Sequence, residues 1–383
     1  MLPLIKWPGG KTSELNIISE HFPESYNRYV EPFFGGGAVY FDKCPKSAII
    51  NDISKNLMSV YRFIGEGNVK FRRCVEGIAA EWELVKEYCG DKTEFISGLY
   101  RAYTDGDLEK EEFLMQIQRY TDIAVEFIAG QSQVISDKET FRSELYRMVS
   151  DKLLRTCANE KKFGSLSYED LQKNMLTGFT GGYYMYMRSM LNAMEKDKYL
   201  YISDEYKAAV FFFVREFCYG SMFRYNKNGD FNIPYGGIAY NTKDFSKKVE
   251  AMFDVQTVKL LSGADIYTTD FQTIFAMCEE GDFIFLDPPY DTEFSEYETK
   301  AFGKEEHKRL AECIYKTKAK LLLIIKNTPF IASLYEDKGL NVFAFDNKYA
   351  YCVKGRNDRN AEHLIITNYW FCAKKGTKLF LWK

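Results

Sequence analysis

The 383-residue chain has only three histidines, His21, His307 and His363. None stands at ligand spacing from a cysteine or another histidine, which argues against a structural zinc. No Gly-x-Ser-x-Gly elbow accompanies them, so a serine-type triad has no footing. The nine cysteines are odd in number and contain no Cys-x-x-Cys pair. They read as reduced thiols. No run is long and apolar enough to span a bilayer: the stretch at 210–214 stops at Arg215 and Glu216. The opening MLPLIKWPGGK is too short and broken for a signal peptide, and a cytoplasmic location is expected. A strong charge of one sign is also missing, with a net charge of −3. That balance gives no global sign of nucleic-acid binding, but a local basic face is enough for it.

What is present suits an ordinary soluble protein: 46% hydrophobic and 27% charged residues. The length allows two domains, or one domain with a large insertion. The first block alternates strand and helix. Residues 13–21 read as a short helix and 28–31 as a strand entering the turn PFFGGG. Residues 38–43 read as a helix, 47–50 as a second strand and 54–64 as a helix. This is the opening of a doubly wound sheet.

From about 65 to 217 the periodicity is mostly helical, for example at 69–88, 108–128 and 138–159. Turn signals at 104–107 and in GFTGG at 178–182 separate these helices. Residues 217–240 change character: the turn at 226–229 lies between aromatic-rich extended segments and predicts a β-hairpin carrying Arg, Lys and Asn. After a helix near 243–261, strands return at 265–269, 283–286, 321–325, 342–345 and 363–367. One α/β sheet is therefore interrupted by a long insertion.

Glycines in the first turn let a ligand approach backbone at a helix N-terminus. Asp52, ending the second strand, is placed to grip ribose hydroxyls. A dinucleotide fingerprint is excluded, because Tyr40 stands three residues after Gly37 where a third glycine belongs. Gly10-Lys11-Thr12 has the look of a phosphate loop, but Ile5 replaces the glycine that loop requires.

The most informative stretch is FIFLDPPYD, from Phe283 to Asp291. An apolar strand delivers Asp287 to the sheet edge where α/β proteins bind ligands. A carboxylate accepts hydrogen bonds only, and Pro288 contributes a carbonyl without an N–H. Pro288 and Pro289 fix successive φ angles, so both acceptors are rigid. Tyr290 adds a flat face. Together they form a receptor for a planar group bearing an NH₂, with neither metal nor cysteine nucleophile needed.

With these pieces in order, the chain resembles the Dam-type, alpha-group, D12 class DNA adenine-N6 methyltransferases. The matching segments are KWPGGK (6–11), VEPFFGGGAVYF (30–41), NDIS (51–54), RYNKNGDFNIPYG (224–236), TTDF (268–271), FLDPPY (285–290) and RNAEHLIITNY (359–369). The resemblance implies a Rossmann-like class I methyltransferase sheet, residues 1–64 and 263–383, interrupted by a mostly helical target-recognition region, residues 65–262. A DNA-contacting hairpin at about 217–240 belongs to that insertion.

The resemblance also implies roles. Trp7 and Lys11 close over S-adenosylmethionine, and the turn with Phe33, Gly35 and Gly37 lies beside its methionine part. Asp52 takes its ribose, and Asp270 and Phe271 flank its adenine. Asp287, Pro288, Pro289 and Tyr290 hold a flipped adenine, with Asp287 also near the cofactor. Lys6 and Arg224 read bases, Asn226 and Asn232 meet phosphates, and Tyr219 and Met222 enter the duplex. The implied partner is double-stranded DNA, with a cognate restriction endonuclease as a companion, in a bacterial or viral host. Where the family often has Arg and an aromatic after the hairpin, Gly237 and Ile238 stand. The alternatives are an N4-cytosine methyltransferase, for which Ser is expected in place of Asp287, and a non-catalytic DNA- or cofactor-binding module.

Overall fold

A computed structural model describes residues 1–132, 134–196, 202–290, 302–336, 338–348, 360–370 and 380–381. Asp291 and Arg359, at the ends of two of the quoted motifs, lie outside them. The chain begins with α1 (Leu15–Glu20), β1 (Tyr29–Glu31), α2 (Ala38–Lys43), β2 (Ala48–Asn51) and α3 (Lys55–Gly65). Long helices follow: α4 (Val69–Asp105), α5 (Lys110–Gln131), α6 (Lys138–Phe163), α7 (Tyr168–Glu195) and α8 (Asp204–Phe217). Next come α9 (Phe245–Met252), α10 (Val255–Ser262), β3 (Ala264–Tyr267), α11 (Phe271–Ala276) and β4 (Phe283–Leu286). The last elements are α12 (Lys304–Lys316), β5 (Lys320–Lys326), α13 (Pro329–Tyr335), β6 (Asn341–Lys348), β7 (Asn360–Thr367) and β8 (Phe380–Leu381).

Two compact units result: Met1–Glu66 with Val255–Lys383, and Gly67–Asp254. The helix expected over 243–261 is two helices. α9 lies in the second unit; α10 lies in the first and packs on α3, where Leu261 meets Gly65.

The first unit is a mixed α/β, Rossmann-like fold. Its eight-stranded sheet has the order β3-β2-β1-β4-β5-β7-β6-β8. β1 pairs in parallel with β2 on one side and β4 on the other. Chain direction across the sheet therefore reverses between β1 and β4, and the turns leaving these strands share the crevice where such sheets bind ligands. β7 and β6 run antiparallel. All of β4 is buried, which is why FIFL reads as a continuous apolar run and not as an alternating one. Val30, Ile284, Leu286, Leu321, Leu323, Leu364 and Ile366 form the middle of its core. β8 had no counterpart in the sequence reading.

The second unit is built on α4 to α9. GFTGG at 178–182 is not a turn: it lies buried within α7. A Cβ on Gly178 would stand 3.2 Å from Val149 Cα, and one on Gly182 would stand 2.8 Å from Leu145 Cα. The glycines let α7 lie close against α6, and that packing overrides their ordinary cost inside a helix. The expected hairpin is an antiparallel ribbon closed by two isolated bridges, Cys218 with Tyr235 and Tyr225 with Phe231. Its support comes from α7. Asn192 exchanges hydrogen bonds with the Phe231 backbone, and Tyr184 and Arg188 donate to Ile233 O.

Candidate active site

The first turn explains its own glycines. Gly35 and Gly37 have φ of +49° and +65°, a region that favours glycine. A Cβ on Gly35 would lie 2.8 Å from Trp7 Cδ1, and one on Gly37 would lie 2.5 Å from Phe34 Cζ. The glycines thus leave room for the rings of Trp7 and Phe34 against the turn.

Asp52 ties this turn to β2. Its Oδ2 accepts from Gly35 N at 2.9 Å and its Oδ1 from Ser54 N at 2.9 Å. These two bonds fix the carboxylate's rotamer. Its neighbour Asn51, given no role from sequence, stitches three strand ends together. Asn51 Nδ2 donates to Pro32 O and Thr269 O, Asn51 Oδ1 accepts from Thr269 N, and Asn51 O accepts from Phe34 N. Thr269 is thereby held off the ladder, and β3 ends at Tyr267 where the sequence suggested a longer strand.

Beyond β3, Asp270 caps α11 by accepting from Gln272 N. Arg309 of α12 donates to Asp270 Oδ1 at 2.9 Å and lies 5.0 Å from the Phe271 ring centre. Phe33, Phe271 and Phe302 pack with centroids 5.4–5.8 Å apart. Arg309 and Phe302 escaped the sequence reading, because nothing local links them to β3.

At the end of β4, the Lys11 ammonium lies 2.7 Å from Asp287 Oδ1, donates to Gly9 O at 2.8 Å, and stands 5.2 Å from the Tyr290 ring centre. Lys11 is only 3% exposed. Burial raises the Asp287 carboxyl above its ordinary value; Lys11 opposes that shift and the nearby Glu14 adds to it. Pro288 is buried and Pro289 exposed. Tyr290 also meets the buried His363 ring edge-on at 5.4 Å, and His363 Nδ1 is 3.7 Å from Glu14 Oε2. His363 belongs to a quoted motif, although its place against Tyr290 did not follow from that; Glu14 carried no sequence signal at all.

Glu31, at the end of β1, is a further buried acid. It accepts from Tyr29 OH at 2.7 Å. Burial, with Asp287 and Asp52 adding to it, holds its carboxyl well above the usual carboxylate range.

One sheet edge thus gathers Trp7, Lys11, Phe33, Gly35, Gly37, Asp52, Asp270, Phe271 and Asp287 to Tyr290. Lys6 is exposed on the same N-terminal segment. The remaining predicted residues lie in the second unit. Tyr219 and Met222 are exposed. Arg224 Nε donates to Asn232 Oδ1 at 2.9 Å. Asn226 Oδ1 accepts from Asn228 N and Asp230 N, so its amide shapes the turn. Among the described residues no group of three or more His, Cys, Asp or Glu could hold a metal ion, and no helix is long and apolar enough to cross a membrane.

Comparison with known proteins gives one consistent answer. The family model of the D12 class N6 adenine-specific DNA methyltransferases matches residues 7–114 and 122–350. The chain is 26% identical over 375 residues to the type II methyltransferase M.CviBI of Paramecium bursaria Chlorella virus NC1A, covering 96% of this chain and all of that one. It is 26% identical over 390 residues to the type II methyltransferase M.MjaIII of Methanocaldococcus jannaschii, covering 96% and 99%. With the DNA adenine methylase of Haemophilus influenzae the identity is 22% over 342 residues, covering 87% and 82%.

Proposed function

We propose, on the premise that this chain belongs to the D12 class N6 adenine-specific DNA methyltransferase family and is an enzyme of that kind, that it methylates N6 of an adenine flipped out of duplex DNA, with S-adenosylmethionine as donor. The observation that carries the finer reading is the Lys11 ammonium. It donates to Asp287 Oδ1 and Gly9 O beside the face of Tyr290, so the site already accommodates an N–H donor next to an aromatic plane.

In the reaction, Asp287 and the Pro288 carbonyl accept the two N6 hydrogens while Tyr290 stacks on the base. Held so, the nitrogen lone pair is drawn out of the ring and towards the methyl group. S-adenosylmethionine, when bound, supplies an electrophilic methyl on a sulfonium. Asp52 suits its ribose, its carboxylate being held at the end of β2 by the Gly35 and Ser54 amides. Phe33, Asp270 and Phe271 would border its adenine, with Trp7 and the turn at Gly35 and Gly37 near its methionine end. As the N–C bond forms, the bond between the donor's sulfur and its methyl would break and leave its electron pair on a neutral thioether; N6 becomes cationic and acidic, and its proton passes to Asp287 or to water, so no strong base is required. Rate comes from positioning and from preorganised acceptors. The unit Gly67–Asp254 carries target recognition in this reading: Arg224 and Lys6 read bases, Asn226 and Asn232 meet the backbone, and Tyr219 and Met222 enter the duplex.

Tritiated donor and duplex DNA test this directly. Wild-type protein should label adenine, and Asp287→Ala should lower the rate about 10³-fold. Label found only in cytosine, RNA or protein overturns the proposal. Long-read sequencing of DNA from a methylation-free host that expresses the protein gives the modified context.

A further inference from the structure

One exposed turn of the second unit has its backbone fixed from several directions. Tyr219 N donates to Pro234 O, Ser221 N to Cys218 O, and Met222 N to Tyr219 O. Gly220 N donates to the Tyr240 hydroxyl at 3.1 Å. Gly220 and Ser221 are both left-handed, with φ of 61° and 51°, and for Ser221 that conformation is strained. Strain of this kind persists only where the surroundings impose it.

Arg215 imposes it. This arginine is 1% exposed, at the end of α8. Its guanidinium donates to Met222 O at 2.6 Å and Ser221 O at 2.9 Å, and lies 5.0 Å from the Phe223 ring centre. Burying a guanidinium is unfavourable unless hydrogen bonds compensate, and here they go to the backbone of the turn. Tyr240 closes the other side: a Cβ on Gly236 would fall 2.3 Å from its ring, so ring and ribbon are locked together. The side chains carried by this turn, Tyr219 at 55% and Met222 at 38% exposure, project into solvent.

We infer that Arg215 and Tyr240 are positioning residues that preset the Tyr219–Met222 turn as a rigid wedge, which opens the duplex beside the target adenine. The inference rests on the function proposed above and adds to it how the wedge is aimed. A preset wedge does not lose backbone freedom on insertion, so its apolar side chains go into unstacking the base step.

The test compares two duplexes with the context found by sequencing. One is fully paired; the other has an abasic site opposite the target adenine, where flipping is already cheap. Tyr240→Phe keeps the ring and removes the hydroxyl; Arg215→Met fills the same space without the donors. Each variant should lower the single-turnover rate about tenfold on the paired duplex, and should stay within about twofold of wild type on the abasic one. Equal losses on both duplexes overturn the inference, because the residues then support only folding or general binding. Unchanged rates on both overturn it as well. If wild-type protein transfers no methyl to adenine in either duplex, the proposed function falls and the wedge with it.

Discussion

At the sheet edge of the first unit the key side chains hold one another; at the exposed turn of the second they are aimed by residues behind them. Lys11 touches Asp287 and lies over Tyr290, and His363 meets the same ring edge-on. Tyr219 and Met222 point outward, and what is fixed is their backbone, by Arg215 and Tyr240. The lesson is about how damage spreads. At the edge, removing one group leaves its partners misplaced or unpaired. At the turn, removing one side chain leaves the platform standing.

The largest effect that sharpens this contrast is Tyr290→Ala. Single-turnover methylation should fall about 100-fold, since the stacking plane is lost and Lys11 and Asp287 lose a neighbour. Tyr219→Ala should cost about tenfold with an unchanged thermal midpoint. A greater loss for Tyr219→Ala than for Tyr290→Ala would break the comparison.

A second pair sets the glycines of the two units against each other. Gly35→Ala forces a Cβ into a left-handed turn and onto Trp7, and should destabilise by about 1–3 kcal/mol while weakening donor binding measured by calorimetry. Gly182→Ala pushes α7 off α6 and should cost a similar 1–3 kcal/mol in denaturant titration, yet leave donor affinity unaltered.

The smallest effect concerns pH. Because burial raises the Glu31 carboxyl above its ordinary 4.5, the folded chain keeps a proton that the unfolded chain releases. Its stabilisation is full below the unfolded value and is lost as pH rises towards the folded one. Asp287 shifts in the same direction. Glu31→Gln keeps an acceptor for Tyr29 OH and removes this slope. As pH rises above the unfolded carboxyl's value, the variant should lose less stability than wild type in urea titrations.

The same contrast governs what was legible beforehand. Strand ends place chemistry beside turn residues, so Asp52, Asp270 and Asp287 could be found from short motifs. β2, β4 and β5 announced themselves as apolar runs, and β1 by the strand–turn–helix pattern that it opens. Residues that act across long sequence separations left no local trace: Glu14 against His363, Arg309 over Phe271, and Tyr240 under Gly220. Gly178 to Gly182 misled for a related reason. Their partner is α6, and only packing distinguishes a seam from a turn. Isolated bridges in the ribbon likewise follow from anchorage on α7, which the alternation of aromatic residues does not encode.

The contact between α3 and α10 has an evolutionary consequence. These helices flank the inserted unit, and Gly65 lies against Leu261 within the first unit. The chain therefore leaves the sheet and returns to it at adjacent points, so the span between them is fixed whatever lies in between. On the function proposed above, an insert of different length or composition exchanged at this junction would be the way to alter sequence choice, with strand order and register held by the pairings of the first unit itself.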